Sequence, residues 1–303
     1  MRVAFVGAVE SSLIALRTLA ASDATPVLVL TLPPEAAARH SDYRDLVGPA
    51  AAMGAAVHFT RNINDPATLE ALRAARPDIT VVVGWSQLCR DEFRAIAPLG
   101  SLGYHPAPLP RFRGRAVIPW TIITGESESG STIFRLADGV DSGCILAQER
   151  FPVAPGETAR SLYDRHMQAL RRILPPALAR AAAGDAGDPQ DEEAATYCAK
   201  RTPADGLIDW QQPADAVLRL IRGVGAPYPG AFTFDGEHKV TIDSARLSAG
   251  HGRYIGVPGQ VQTCTDTGVT VLCGDGAAIE IQAWRNGGGW RPRTHARFNG
   301  SSV

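Results

Sequence analysis

The 303-residue sequence has no CxxC pair, no GxGxxG or GxxxxGK[ST] loop, no excess charge of either sign, and no apolar run approaching about 18 residues. Each absence removes a class of function. Five cysteines (Cys89, Cys144, Cys198, Cys264 and Cys273) are odd in number and scattered, so neither a zinc site nor a redox pair is expected and the thiols read as reduced. Gly7 is followed by Ala8, Val9 and Glu10, without the further glycines that let a backbone approach a dinucleotide pyrophosphate. A nicotinamide cofactor and nucleotide hydrolysis both lose their support. Thirty Lys and Arg against thirty-one Asp and Glu leave a net charge of -1, so no global positive field points to nucleic acid or an anionic membrane. Met1 to Gly7 is too short an apolar stretch for a secretory signal, and the expected location is cytoplasmic.

With 45% hydrophobic and 20% charged residues the chain reads as an ordinary folded protein, and its length favours two domains. Arg2–Gly7, Pro26–Thr31 and Asp78–Gly84 are continuous apolar strands, with helical spacing over Ser11–Ala20, residues 44 to 54 and residues 66 to 75. Such alternation predicts an α/β, Rossmann-like domain with a mostly parallel sheet, whose ligands bind at the carboxyl edge of the strands. The loops after Gly7, Gly84 and around His105 are therefore the places to search. A helix from Ala159 to about Ala183 leads into the turn-rich Gly184–Glu193. Beyond it, a helix over Pro213–Gly223 and short strands at Ala231–Phe234, Lys239–Ile242, Gly259–Thr263, Val269–Cys273 and Ala278–Ala283 predict a small β-rich, barrel-like second domain. The expected division is 1–185, a linker at 186–198, and 199–303. The tail with Gly287–Gly289, Trp290, Arg291, Arg293 and Arg297 reads as frayed, with gripping of a substrate as the alternative.

The densest run of special residues is Gly103-Tyr104-His105-Pro106-Ala107-Pro108-Leu109-Pro110-Arg111-Phe112-Arg113-Gly114-Arg115-Ala116. Its three closely spaced prolines make a rigid loop after a strand, with His105 at the entrance. A lone histidine there could simply cap the strand. A second feature is Ala137-Asp138-Gly139-Val140-Asp141-Ser142-Gly143, an acidic turn whose glycines permit positive φ and close approach of a ligand.

Together these segments resemble the folate-dependent formyltransferases, whose N-x-H loop runs into SLLPxxRGxxP and is followed by a DxG turn. The resemblance extends through Val117-Ile118-Pro119-Trp120, Thr124–Thr132, Ile208-Asp209-Trp210 and Pro227-Tyr228-Pro229-Gly230-Ala231-Phe232, nearly the whole chain. It implies 10-formyltetrahydrofolate as donor, no metal, and attack of a neutral primary amine on the formyl carbon. That reaction needs a base for the ammonium proton and a donor for the tetrahedral oxyanion. His105 aligns with the family histidine and Asp141 with its aspartate; an imidazole beside a carboxylate suits the proton transfer. Gly84-Trp85-Ser86-Gln87-Leu88-Cys89-Arg90 matches the segment whose backbone binds the pterin. Ala137, Asp138, Gly139 and Val140 would face it, although Asp138 reads better as a turn former. Trp85 is either a wall for the ring or a core residue.

Two departures stand out: Gly103 replaces the family asparagine and Ala107 a serine. Losing an oxyanion donor elsewhere costs about 2.7 to 4 kcal/mol. Gln87, Ser86 or the Tyr104 hydroxyl could fill the gap, the acceptor or donor could differ, or the chain could be a slow enzyme, an inactive binding module or a formyl-folate hydrolase. Arg111, Arg113 and Arg115, with Gly114, point to a phosphate-bearing acceptor, since guanidinium forks pair well with phosphate oxygens. Sugar-nucleotide N-formyltransferases, such as the UDP-4-amino-4-deoxy-L-arabinose formyltransferase domain, are the nearest resemblance. Methionyl-tRNA formyltransferase is the alternative, weakened because Thr31–His40 lacks a basic glycine loop, with Arg219, Arg222, Lys239 and Arg246 left to follow a nucleic-acid backbone. A homodimer is as compatible with the sequence as a monomer.

Overall fold

Aliphatic and β-branched runs without polar alternation set the first half of the chain into buried parallel strands joined by helices. In the computed structural model, which describes residues 1–22, 24–39, 42–286 and 291–299, these are β1 (Arg2–Val6), α1 (Glu10–Ala20), β2 (Thr25–Thr31), α2 (Val47–Ala52), β3 (Ala56–Phe59), α3 (Pro66–Ala75), β4 (Ile79–Val82), α4 (Asp91–Arg94) and β5 (Ser101–His105). There follow β6 (Arg113–Gly114), α5 (Val117–Ile123), β7 (Glu128–Arg135), β8 (Ile145–Pro152), α6 (Ala159–Ala182) and β9 (Tyr197–Cys198). The last group is α7 (Ala214–Val224), β10 (Ala231–Asp235), β11 (His238–Leu247), β12 (Val261–Thr265), β13 (Gly268–Leu272) and β14 (Ala278–Asn286). Among the described residues no helix is long and apolar enough to cross a membrane.

The chain divides into two units. The first comprises Met1–Val117, Glu128–Pro152 and Tyr163–Lys200; the second comprises Ile118–Ser127, Val153–Leu162 and Arg201–Val303. The segment at 186–198 thus belongs to the body of the first unit, where β9 pairs in parallel with β6.

The first unit holds a seven-stranded sheet in the order β3-β2-β1-β4-β5-β7-β8, parallel from β3 to β5 and antiparallel at β7 and β8. The strand order reverses between β1 and β4, so a crevice forms at the carboxyl ends of these strands. Ser12 ties that edge together: its hydroxyl accepts from the amides of Ala8 and Val9 at 3.0 and 3.1 Å and donates to the Val83 carbonyl at 2.7 Å. Gly7 must be glycine there, because a Cβ would strike the Ser12 side chain and come within 2.5 Å of the Val83 oxygen. Phe5, Leu30, Leu72, Ile79 and Phe93 are fully buried around the sheet, each worth about 1.5–3 kcal/mol of transfer free energy.

The second unit is a five-stranded antiparallel sheet, β10-β11-β14-β13-β12, with the apolar face of α7 (Val217, Leu218, Ile221, Val224) in its core. The five strands expected here are all present. The tail corrects the sequence reading: residues 291–299 are not frayed. Asn299 bridges to Phe234 on the β10 edge, Arg297 to Gln260 beside β12, and Phe298 is buried against Trp210. Gly287–Gly289 and Trp290 lie outside the described residues.

Candidate active site

His105 closes β5 with its side chain buried, on the same face as Gly103 and opposite to Tyr104, as strand alternation requires. Its Nε2 lies 2.7 Å from the Phe112 carbonyl. A carbonyl only accepts, so Nε2 carries the hydrogen and Nδ1 is left with the lone pair in the neutral ring. Nδ1 faces Asp141 Oδ2 at 3.6 Å. That carboxylate oxygen accepts the Gly114 amide at 2.8 Å. The geometry therefore offers a base at Nδ1 and, beside it, a fixed anion able to receive a hydrogen bond once the ring is protonated.

Uncommon backbone builds this pairing. Phe112, Ala116 and Asp141 all have positive φ (61°, 54° and 50°), as does Gly114 (100°). Such left-handed non-glycine residues persist only where their surroundings over-determine them. Behind β5, Tyr104 sends its hydroxyl to Ser131 Oγ at 3.0 Å and the His166 carbonyl at 3.3 Å, while His166 Nδ1 meets Ser131 Oγ at 2.9 Å. His166 is wholly buried, and desolvation, with a smaller contribution from the charge of His105, pushes its imidazole down to about 3.

The three arginines are not one cluster, which corrects the expectation for Arg113. Its guanidinium is 1% exposed and bonds Glu192 through both terminal nitrogens at 2.7 Å, the Gln190 Oε1 at 2.8 Å and the Tyr197 hydroxyl at 3.1 Å. The turns at Phe112 and Gly114 break the two-residue alternation that would have aligned the three side chains. Arg111 is half-buried over the Phe112 ring, and Arg115 is exposed. Gly114 is placed by contact: a Cβ would lie 2.6 Å from the Cys198 carbonyl.

After β4, Gly84 (φ 70°), Ser86, Gln87, Leu88 and Arg90 are exposed at the sheet edge, and Trp85 is half-buried against Ala8, Leu32 and Ala36 on one side and the β1–β4 core on the other. Its indole N–H is buried without a hydrogen-bond partner among the described residues. Asn64, which drew no attention in the sequence, clamps this loop: Nδ2 donates to the Leu88 carbonyl and Oδ1 accepts the Arg90 amide, both at 2.9 Å. In the acidic turn Ala137, Gly139 and Val140 are exposed. Asp138 pairs with Arg94 at the end of α4.

A family model described as formyl transferase matches residues 1–178, and one described as formyl transferase, C-terminal domain, matches residues 200–301. The chain belongs to the formyl transferase family. Among solved structures, HypX from Aquifex aeolicus in complex with tetrahydrofolic acid aligns at TM-score 0.66 and 20% identity over 94% of this chain and 44% of that one. The N-formyltransferase from Helicobacter canadensis, in complex with folinic acid and dTDP-3-aminofucose, aligns at TM-score 0.70 and 17% identity over 92% and 98%. Methionyl-tRNA formyltransferase from Clostridium thermocellum aligns at TM-score 0.61 and 15% identity over 82% and 95%. At these identities the likeness is one of fold. The chain spans under half the length of the HypX proteins it matches.

In this member of the formyl transferase family, Gly103 is not an empty position. A Cβ there would stand 2.7 Å from Leu136 Cδ2 and 2.9 Å from Phe134 Cζ, so two apolar side chains fill the space a larger residue would need. Two of the three suggested substitutes for the missing carboxamide are excluded. Tyr104 points to the other face of the sheet. Gln87 is spent on the 61–63 loop, accepting the Ile63 amide at 2.9 Å and donating to the Arg61 carbonyl at 2.6 Å. Ser86 is exposed at the loop surface. In the second unit, Arg219 bonds Asp215, Arg246 pairs with Glu280 at 2.8 Å, Lys239 sits 3.9 Å over the Phe232 ring and Arg222 is half-buried. These residues therefore do not form a free basic track.

Proposed function

We propose that the chain is a 10-formyltetrahydrofolate-dependent N-formyltransferase of primary amines, acting on a small phosphate-bearing acceptor such as an amino-sugar nucleotide. The observation that carries this reading is the His105–Asp141 pair, with Nε2 held by a backbone carbonyl and Nδ1 directed to the carboxylate. The neutral amine attacks the formyl carbon, Nδ1 takes the ammonium proton, and the imidazolium, steadied by Asp141, gives a proton to the tetrahydrofolate nitrogen as the bond between that nitrogen and the formyl carbon breaks. The loop from Gly84 to Arg90 suits a flat heterocycle, because the Trp85 indole N–H lacks a partner among the described residues and Leu88 leaves apolar surface at the rim. Arg115, exposed beside the reacting loop, and Arg111 supply the charge for the acceptor's phosphates. The Helicobacter canadensis relative, whose complex holds folinic acid and a dTDP-amino sugar, supports that class of acceptor.

A second reading, binding or hydrolysis of the formyl donor without transfer, is favoured by the filled space at Gly103. Purified chain incubated with 10-formyltetrahydrofolate and a panel of amino-sugar nucleotides decides between them. Formylated amine with release of tetrahydrofolate supports the proposal, formate release without an acceptor supports hydrolysis, and donor binding with no product supports a binding module. Formylation of methionyl-tRNA in a parallel arm would overturn the small-acceptor assignment.

A further inference from the structure

Residues 179–199 are matched by neither family model, yet this interval holds both loops of the reacting centre. Gln190 Nε2 donates to the carbonyls of Asp141 at 2.8 Å and Gly143 at 2.7 Å, bridging the turn that presents the carboxylate. Its Oε1 accepts from Arg113, whose guanidinium is in turn gripped by Glu192. Further along, Thr196 Oγ1 accepts the Phe112 amide at 2.8 Å, the Thr196 carbonyl accepts the Arg113 amide at 2.8 Å, and the Cys198 carbonyl accepts the Arg115 amide at 3.1 Å. The intervening Gly114 amide goes to Asp141. Four consecutive amides of the 112–115 loop are thus divided between this strap and the carboxylate beside His105.

We propose that the strap from Gln190 to Cys198 is part of the reacting centre, with Gln190 the positioning residue for Asp141 and Thr196 the positioning residue for the Phe112 carbonyl that holds His105. Asp141 and Phe112 both have positive φ, a backbone that relaxes when its hydrogen bonds are withdrawn. Gln190 satisfies two carbonyls at once with a single NH₂ group. Arg113, read from sequence as a phosphate binder, instead serves as the brace behind it. The inference rests on His105 and Asp141 being the working pair, so its test carries a readout that does not depend on turnover.

The test uses the full chain labelled with ¹⁵N-histidine, the His105 ring signals being assigned with His105→Asn. Gln190→Ala removes the whole carboxamide, whereas Gln190→Glu keeps an acceptor for Arg113 and removes the donor to Asp141 and Gly143. In both variants the His105 Nδ1 signal is expected to move toward its position in Asp141→Asn. Thr196→Val is expected to move the Nε2 signal. Formyl transfer should fall roughly a hundredfold in kcat, the cost of misplacing a reacting group by about 1 Å, with the KM for the donor unchanged. His105 signals that stay at their wild-type positions in both Gln190 variants and in Thr196→Val, while Asp141→Asn shifts them, would overturn the proposal. An unmoved Asp141→Asn spectrum would overturn the His105–Asp141 pair itself.

Discussion

Placing asparagine at Gly103 tests whether that glycine is a lost donor or a packed position. The new Cβ would begin 2.7 Å from Leu136 Cδ2 and 2.9 and 3.0 Å from two Phe134 ring carbons. Carbon atoms settle at about 3.5–4.0 Å, so both side chains must retreat by nearly 1 Å. Overpacking of this kind costs roughly 1–3 kcal/mol, and a carboxamide pressed among apolar groups without a partner adds about 1–3 kcal/mol. Gly103→Asn is therefore expected to be destabilised by roughly 2–6 kcal/mol, read from the urea midpoint by far-UV circular dichroism. Shortening Leu136 opens the space, so Gly103→Asn combined with Leu136→Ala should be more stable than additivity allows, with a coupling of about 0.5–3 kcal/mol. In that background the carboxamide is also free to act as an oxyanion donor, and formyl transfer should exceed that of Leu136→Ala alone. A Gly103→Asn protein with the wild-type urea midpoint and no coupling to Leu136→Ala would refute the packing argument. A slower double variant would refute the lost donor.

Acid should destabilise the first unit through His166. Its folded value is pushed down to about 3 by burial while the unfolded ring titrates near 6.5. The unfolded chain therefore takes up a proton first, and stability is lost progressively as pH falls from 6.5 towards 3, by about 1.4 kcal/mol per pH unit. His166→Gln should lose this slope between pH 6.5 and 5 in urea titrations, and identical slopes would dismiss the explanation. Arg115→Ala, which touches an exposed side chain, should leave the urea midpoint within about 0.5 kcal/mol of wild type and raise the KM for a phosphate-bearing acceptor without changing kcat. Arg113→Ala should instead lower stability by about 1–3 kcal/mol, because it strands the Gln190 carboxamide oxygen; a Tm equal to wild type would contradict this. Gly114→Ala places a Cβ 2.6 Å from the Cys198 carbonyl at φ 100°, and a loss of about 1–3 kcal/mol is expected from thermal unfolding.

By itself the sequence determined the architecture. Continuous apolar strands at Arg2–Val6 and Thr25–Thr31, and helical spacing at Pro66–Ala75, leave few ways to bury their surface other than a parallel sheet with helices on its faces. β7 was harder to read, since Glu-Ser-Gly-Ser-Thr-Ile-Phe-Arg carries little strand propensity and is held by pairing with β5 and β8. Proline and glycine mark the rigid loop that holds His105 and the permissive turn that holds Asp141, which are properties of single residues and their spacing, whereas reading the two as a pair rested on the resemblance to the formyltransferases. Tertiary structure alone decided which groups those residues meet. Arg113 and Arg115 look alike in sequence, but one is sealed against Glu192 and the other is exposed. Gln190 sits in a stretch that reads as a linker, and Tyr104 and Gln87 look like free donors until the fold commits them elsewhere. Hydrogen bonds across such separations leave no periodic trace in the chain. Their partners exist only once distant segments are packed together, and this is also why Gly103 reads as a vacancy in the sequence and as a filled position in the structure.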